Sequence, residues 1–214
     1  MEPITPFGRR LRLLFGIYFA ILFSTIALSV YTINKEIVHL KWVSHTYEVI
    51  SSIKNVETDM ITVHAEIRGY ALTNERYALG EYESAIHKVY LDLLRVRQLT
   101  FDNENQQRNV VLLKTAIDNK LKFTNSVLDI MATDNPKKAG EYIKNSDGHE
   151  LFTRFKYLIN LMLEEESGLL VVRQNELQDS TLKVQVLLPS LILLNVGVAV
   201  YIYSVITSRI KPDQ

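Results

Sequence analysis

Two uncharged apolar runs, Leu13 to Ile33 and Val184 to Thr207, bracket the chain and leave only short tails outside them. A helix rising about 1.5 Å per residue needs roughly 20 apolar residues to cross about 30 Å of hydrocarbon, and both runs meet that length. A cleaved secretory signal is the alternative for the first, with an apolar core of about 7 to 15 residues and a small-x-small site. Ala27-Leu28-Ser29 offers a weak version of that site, but apolar residues continue through Val30, Tyr31 and Ile33, so an uncleaved anchor is expected. Arg9, Arg10 and Arg12 precede the first run, and Arg209 and Lys211 follow the second. Positive charge beside a span favours the cytoplasm. The expected organisation is a cytoplasmic N-terminus (1–12), a first span (13–33), an outward-facing segment (34–183), a second span (184–207) and a cytoplasmic tail (208–214).

The second run contains Pro189 and Asn195. A proline is tolerated in a span where neighbours re-satisfy the freed carbonyl, and an intramembrane amide often bonds across to another helix. A modest kink at Pro189 and an oligomer contact at Asn195 are therefore expectations. For Asn195 the alternative is a polar residue turned to headgroups or to its own backbone.

Over residues 34–183 there are 19 Lys and Arg against 22 Asp and Glu, mildly acidic and without a basic stripe for nucleic acid. Nucleic acid is not an expected partner. Cysteine is absent, which fits an oxidising compartment without disulfides and equally fits many cytosolic proteins. Between the spans the single proline is Pro136, and so few breakers favour helix.

Apolar residues recur there at spacings of three and four, the pattern of helices burying one stripe. Val49, Ile53, Val56, Met60, Val63 and Ile67 form the first stripe; Leu79, Tyr82, Ile86, Val89, Leu93 and Val96 form the second. Val110, Leu113, Ile117, Leu121, Thr124, Leu128 and Met131 form the third, and Leu151, Phe155, Leu158, Met162, Leu169 and Val172 the fourth. Gly69 with Thr73-Asn74 is expected to end the first helix and open the second. Asn103 with Gln106, or Asp102 as the alternative cap, opens the third. Asn135-Pro136 starts a short extra helix through Tyr142, and Asp147 with Glu150 opens the fourth. Short connections force antiparallel neighbours. The expected fold class is all-α: an up-down-up-down four-helix bundle outside the membrane, its first and last helices continuous with the two transmembrane helices.

Four patches in this order resemble a known family. They are Trp42-Val43-Ser44-His45-Thr46-Tyr47-Glu48-Val49, then Arg68-Gly69-Tyr70-Ala71-Leu72-Thr73, then Leu99-Thr100-Phe101-Asp102-Asn103 with Gln106, and finally Glu165-Glu166 with Leu169-Leu170 and Arg173. Over about residues 36 to 180 the chain resembles the CHASE3 extracellular sensory domains of bacterial two-component sensors. The resemblance implies a signal-receiving four-helix periplasmic domain in the inner membrane, usually dimeric. One position departs from the family's pattern: an acidic residue often stands one turn before the arginine, where this chain has His64, with Glu66 closer.

The same residues also read physically. Trp42 suits the headgroup interface or the core as well as a ligand contact. His45, on the same helix face, is a structural histidine or a pH sensor. Arg68-Gly69-Tyr70 either locks the helix turn, Gly69 taking a positive φ and Arg68 reaching helix-end carbonyls, or touches ligand. Glu165, in the stripe between Met162 and Leu169, points a carboxylate to the core margin, which requires a partner. Equal rise along the outer helices puts Lys54 and Arg95 near Glu165 and Glu166, so a pairing between these groups is expected; the alternative is a solvated charge run.

No enzyme is expected. No two of His39, His45, His64, His87 and His149 are three or four residues apart, there is no glycine-rich phosphate loop, and no cysteine nucleophile exists. No metal, no cofactor and no catalytic residue is expected, and the ligand cannot be read. The core stripes are filled with Leu, Val and Ile and announce no cavity. The resemblance implies a kinase or other output module after the second span, so the output is expected from a continuation beyond residue 214 or from a cytoplasmic or membrane partner. A stand-alone adaptor or structural bundle that receives no signal is the alternative.

Overall fold

The computed structural model describes residues 6–133 and 136–210, and no strand occurs among them. Five helices follow one another: α1 (Pro6–Thr73), α2 (Tyr82–Leu99), α3 (Glu104–Ala132), α4 (Pro136–Asn145) and α5 (Gly148–Ile210). The chain divides into two units. One comprises Ser44–Val172; the other joins the stretch up to Val43 with the stretch from Arg173.

Unit 44–172 is the bundle. The whole predicted stripe of α1 is buried, with Ile53, Val56, Met60 and Val63 at 0% exposure. Val89, Val96, Leu113, Ile117, Phe155 and Met162 meet it from the other helices. Each such side chain contributes about 1.5–3 kcal/mol on leaving water. Polar contacts trace the order of the helices around this core. Glu48 on α1 meets Arg95 on α2, and Tyr82 on α2 meets Thr124 on α3. Gln106 on α3 meets Glu166 on α5, and Lys156 on α5 returns to Glu57 on α1.

Several boundaries differ from expectation. Gly69 lies inside α1 with an ordinary helical φ; the left-handed residue is Asn74 (φ 56°), just past the helix end, its N–H donating to the Tyr70 carbonyl at 2.9 Å. An asparagine tolerates that conformation because its short polar side chain bonds locally. A one-turn 3-10 helix over Arg76–Leu79 then intervenes, so Leu79 precedes α2. The Glu81 side chain does not cap α2, and the Glu81 N–H donates to Glu66 across the turn at 3.1 Å. On α5 the buried stripe stops at Met162 and Glu166, while Val172 is 55% exposed. Asn135 lies outside the described residues; Pro136 is the first residue of α4.

In the other unit the first part of α1 and the last part of α5 turn large apolar side chains outward, among them Phe23, Val186 and Leu193. Each helix is long and apolar enough to cross a membrane. Several of their hydroxyls bond back one turn, as Thr25 does to the Ile21 carbonyl at 2.8 Å and Ser29 to the Thr25 carbonyl at 2.8 Å, which meets those groups within their own helix. Asn195 donates to Thr25 Oγ1 at 3.0 Å and to its own Leu191 carbonyl at 2.8 Å. Its Nδ2 thus bridges the two helices of one chain and also bonds its own backbone, the alternative expected for it, while its Oδ1 is buried without a partner among the described residues. Pro189 sits within α5, which continues through it. Glu36 accepts from Thr181 at 2.7 Å, and the Arg173 guanidinium lies 4.8 Å over the Trp42 ring.

Candidate functional site

The predicted residues fall into three places. Trp42 and Arg173 meet as a cation–π pair in the unit of the apolar helices. His45 is half-buried on α1 at the start of the bundle. The remaining ones mark the two ends of the bundle.

The end where residues 44 and 172 lie carries a polar junction. Asn103 caps α3: its Oδ1 accepts from the Asn105 and Gln106 N–H groups at 3.0 and 3.1 Å, while its Nδ2 donates to Glu165 at 2.9 Å. Gln106 is fully buried and its Nε2 donates to the Met162 carbonyl at 3.1 Å and to Glu166 at 3.0 Å. Gln107 ties the same turn by donating to Arg97 O and Thr100 Oγ1, both at 2.9 Å. Asp102 is exposed and leaves the cap to Asn103. The expected partners of the glutamates are corrected here. Arg95 pairs with Glu48 at 2.6 Å, and the carboxylates of Glu165 and Glu166 take amide donors. Glu166, only 3% exposed, occupies the stripe position that the sequence assigned to Glu165, because four residues rather than three separate it from Met162.

Toward the other end a cavity of 180 Å³ opens between α1, α3, α4 and α5, where the stripes announced none. Arg68 lines it, together with His64 one turn before it. Sequence reasoning missed the rest. Lys120 is 1% exposed, donates from Nζ to the Gly148 carbonyl at 3.0 Å, and lies 4.5 Å from the Phe123 ring centroid and 5.8 Å from that of Phe152. Its position three residues after Ile117 and four before Thr124, inside the α3 stripe, was the available signal. His64 packs on Phe152, centroids 4.5 Å apart, and Phe123 stacks on Tyr142 at 5.5 Å. Gly148 is needed for a steric reason: a Cβ there would stand 2.5 Å from Phe123 Cζ, a ring already held against Tyr142. Burial and the neighbouring Arg68 charge pull Lys120 down to about 8. Burial, then Lys120, Arg68 and His149, pull His64 down to about 4, so its imidazole is neutral at pH 7.

No group of three or more metal-ligating side chains occurs among the described residues. The CHASE3 domain profile matches residues 39–176, more than half of the chain and the whole of the bundle. The chain belongs to the CHASE3 domain family. No curated protein and no solved structure matches it. CHASE3 is a sensory domain of histidine kinases and similar sensors and is not catalytic.

Proposed function

We propose that this CHASE3 chain is the extracytoplasmic input module of a membrane signalling protein, with both termini in the cytoplasm and the bundle outside. The observation that carries this reading is a sensory domain set between two helices each long and apolar enough to cross a membrane. The arginines at 9, 10 and 12, against Arg209 and Lys211 at the other end, support the orientation. A stimulus at the bundle changes helix packing, and α1 and α5, each a single uninterrupted helix of 68 and 63 residues, carry the shift inward as a piston, rotation or scissor motion. The chain works as a homodimer, the arrangement the family resemblance implies, and passes its signal to a kinase module or to a separate partner.

The cysteine-free sequence makes the test direct, because each introduced cysteine reports alone. Tyr77→Cys, at a 76% exposed position beyond α1, should react with a membrane-impermeant maleimide on intact cells, and Arg10→Cys only after permeabilisation. The reverse pattern overturns the orientation. Joining the chain to a kinase core then tests relay: substitutions in the bundle should change kinase output, and an output insensitive to all of them favours a structural anchor.

A further inference from the structure

The cavity between α1, α3, α4 and α5 gathers basic side chains without a carboxylate among them. Residues 34–183 carry more acidic than basic residues, yet the eight residues lining this cavity include His64, Arg68, Lys120 and His149 and no carboxylate. Elsewhere in the bundle Arg95 pairs with Glu48, Lys114 with Asp118, and Lys156 with Glu57. Among the described residues no carboxylate lies within ion-pair distance of Lys120 or Arg68, and the only hydrogen-bond acceptor Lys120 reaches is the Gly148 carbonyl. Removing an ammonium from water costs several kcal/mol unless an opposite charge answers it. Two aromatic faces and one carbonyl answer it in part, and two of its three N–H bonds remain to be used.

We propose that this cavity binds a small organic anion, its carboxylate or phosphate head held between Lys120 at the floor and Arg68 at the mouth, and its apolar part against Phe123, Phe152 and Ile143. Depth supports the division of roles, since Lys120 is buried and Arg68 exposed. A guanidinium fork engages either head group with two parallel bonds. At 180 Å³ the space is below the roughly 300–1,000 Å³ of drug-sized pockets, which limits the ligand to a small molecule. The first residues of α5, Gly148 and His149, border the cavity and add the positive end of that helix. Burial chiefly, and then the Arg68 charge, holds Lys120 near 8, and burial followed by the Lys120, Arg68 and His149 charges holds His64 near 4; a bound anion would offset the like-charge part of both, so binding should take up protons.

The inference rests on the sensor reading only for what binding does next. It is tested on the full chain in lipid nanodiscs by calorimetric titration with benzoate, phenyl phosphate and inorganic phosphate. We expect benzoate or phenyl phosphate to bind with a Kd below about 1 mM, at least about tenfold more weakly in Arg68→Gln, and undetectably in Lys120→Met. Benzoate binding alone identifies a carboxylate head, and phenyl phosphate alone a phosphate head; both support the site. Circular dichroism of each variant checks the fold, and Arg68, at the exposed mouth, keeps the test open if Lys120→Met misfolds. No binding by either organic anion, binding of inorganic phosphate alone, or equal affinity in wild type and both variants overturns the proposal. That failure leaves the cysteine-labelling pattern untouched, and an inverted labelling pattern leaves the titration untouched.

Discussion

The two ends of the bundle bury polar groups in opposite ways. At the Asn103 junction each inward carboxylate finds a donor: half-buried Glu165 takes an amide N–H of Asn103, and buried Glu166 one of Gln106. At the Lys120 cavity the buried charge finds a carbonyl and two rings, with three further basic side chains around it. The junction's hydrogen bonds hold elements in register, although Gln106 Oε1 is buried there without a partner among the described residues, whereas a half-answered charge destabilises the fold that keeps it. The first end is therefore the more nearly satisfied of the two, and the second is held at a cost. Groups held at such a cost cluster at functional sites.

The sharpest way to break this contrast is at Gln106. Gln106→Ala removes two hydrogen bonds and opens a void beside Glu166, and should destabilise the bundle by about 3 kcal/mol in denaturant unfolding. A loss under about 1 kcal/mol would make the junction incidental.

The opposite sign is expected at the cavity. The fall of Lys120 from 10.5 to about 8 amounts to about 3 kcal/mol at about 1.4 kcal/mol per pH unit. Lys120→Met forfeits about 1 kcal/mol of hydrogen bond, so a net gain of about 2 kcal/mol at pH 7 is expected. In the wild type the penalty is fully present below pH 8 and disappears as pH rises toward 10.5, so stability should climb across that window and stay flat in the variant. Tyr82 and Tyr90, raised chiefly by burial, reverse the climb above pH 10 because the unfolded tyrosines ionise first. His64 acts on the acid side: with a folded value near 4 against 6.5, the stability it lends is present above pH 6.5 and is lost as pH falls to 4. Thermal melts from pH 4 to 10.5 read all three.

The smallest effect belongs to the cap. Asn103→Ala should lose about 1 kcal/mol, and Asn103→Asp less than that, since the aspartate still caps α3 while facing Glu165. Equal losses for both would assign the effect to the Glu165 contact instead of the cap.

Much of this protein was legible in its residues. The α1 stripe from Val49 to Ile67 is buried as its spacing predicts, because a 3.6-residue period allows only one face to meet neighbours. The Asn103 cap was legible too, since a side-chain acceptor followed by Gln106 is a local signal read within one turn. What failed was long-range. Glu166 rather than Glu165 took the core position, and Arg95 went to Glu48, because which residue of a charge run turns inward depends on the rotation of α5 against its neighbours. Gly69 stayed helical while Asn74 took the left-handed φ, since α1 ran on to Thr73 before it stopped.

Sequence alone determined the apolar runs, the helical period, the CHASE3 patches and the caps, all of which depend on residues within a turn or two of one another. Only the tertiary structure decided that Lys120, Arg68, His64 and His149, drawn from three helices, converge on one cavity without a carboxylate. Helical period says which way a side chain faces; only packing says which other side chains stand opposite it.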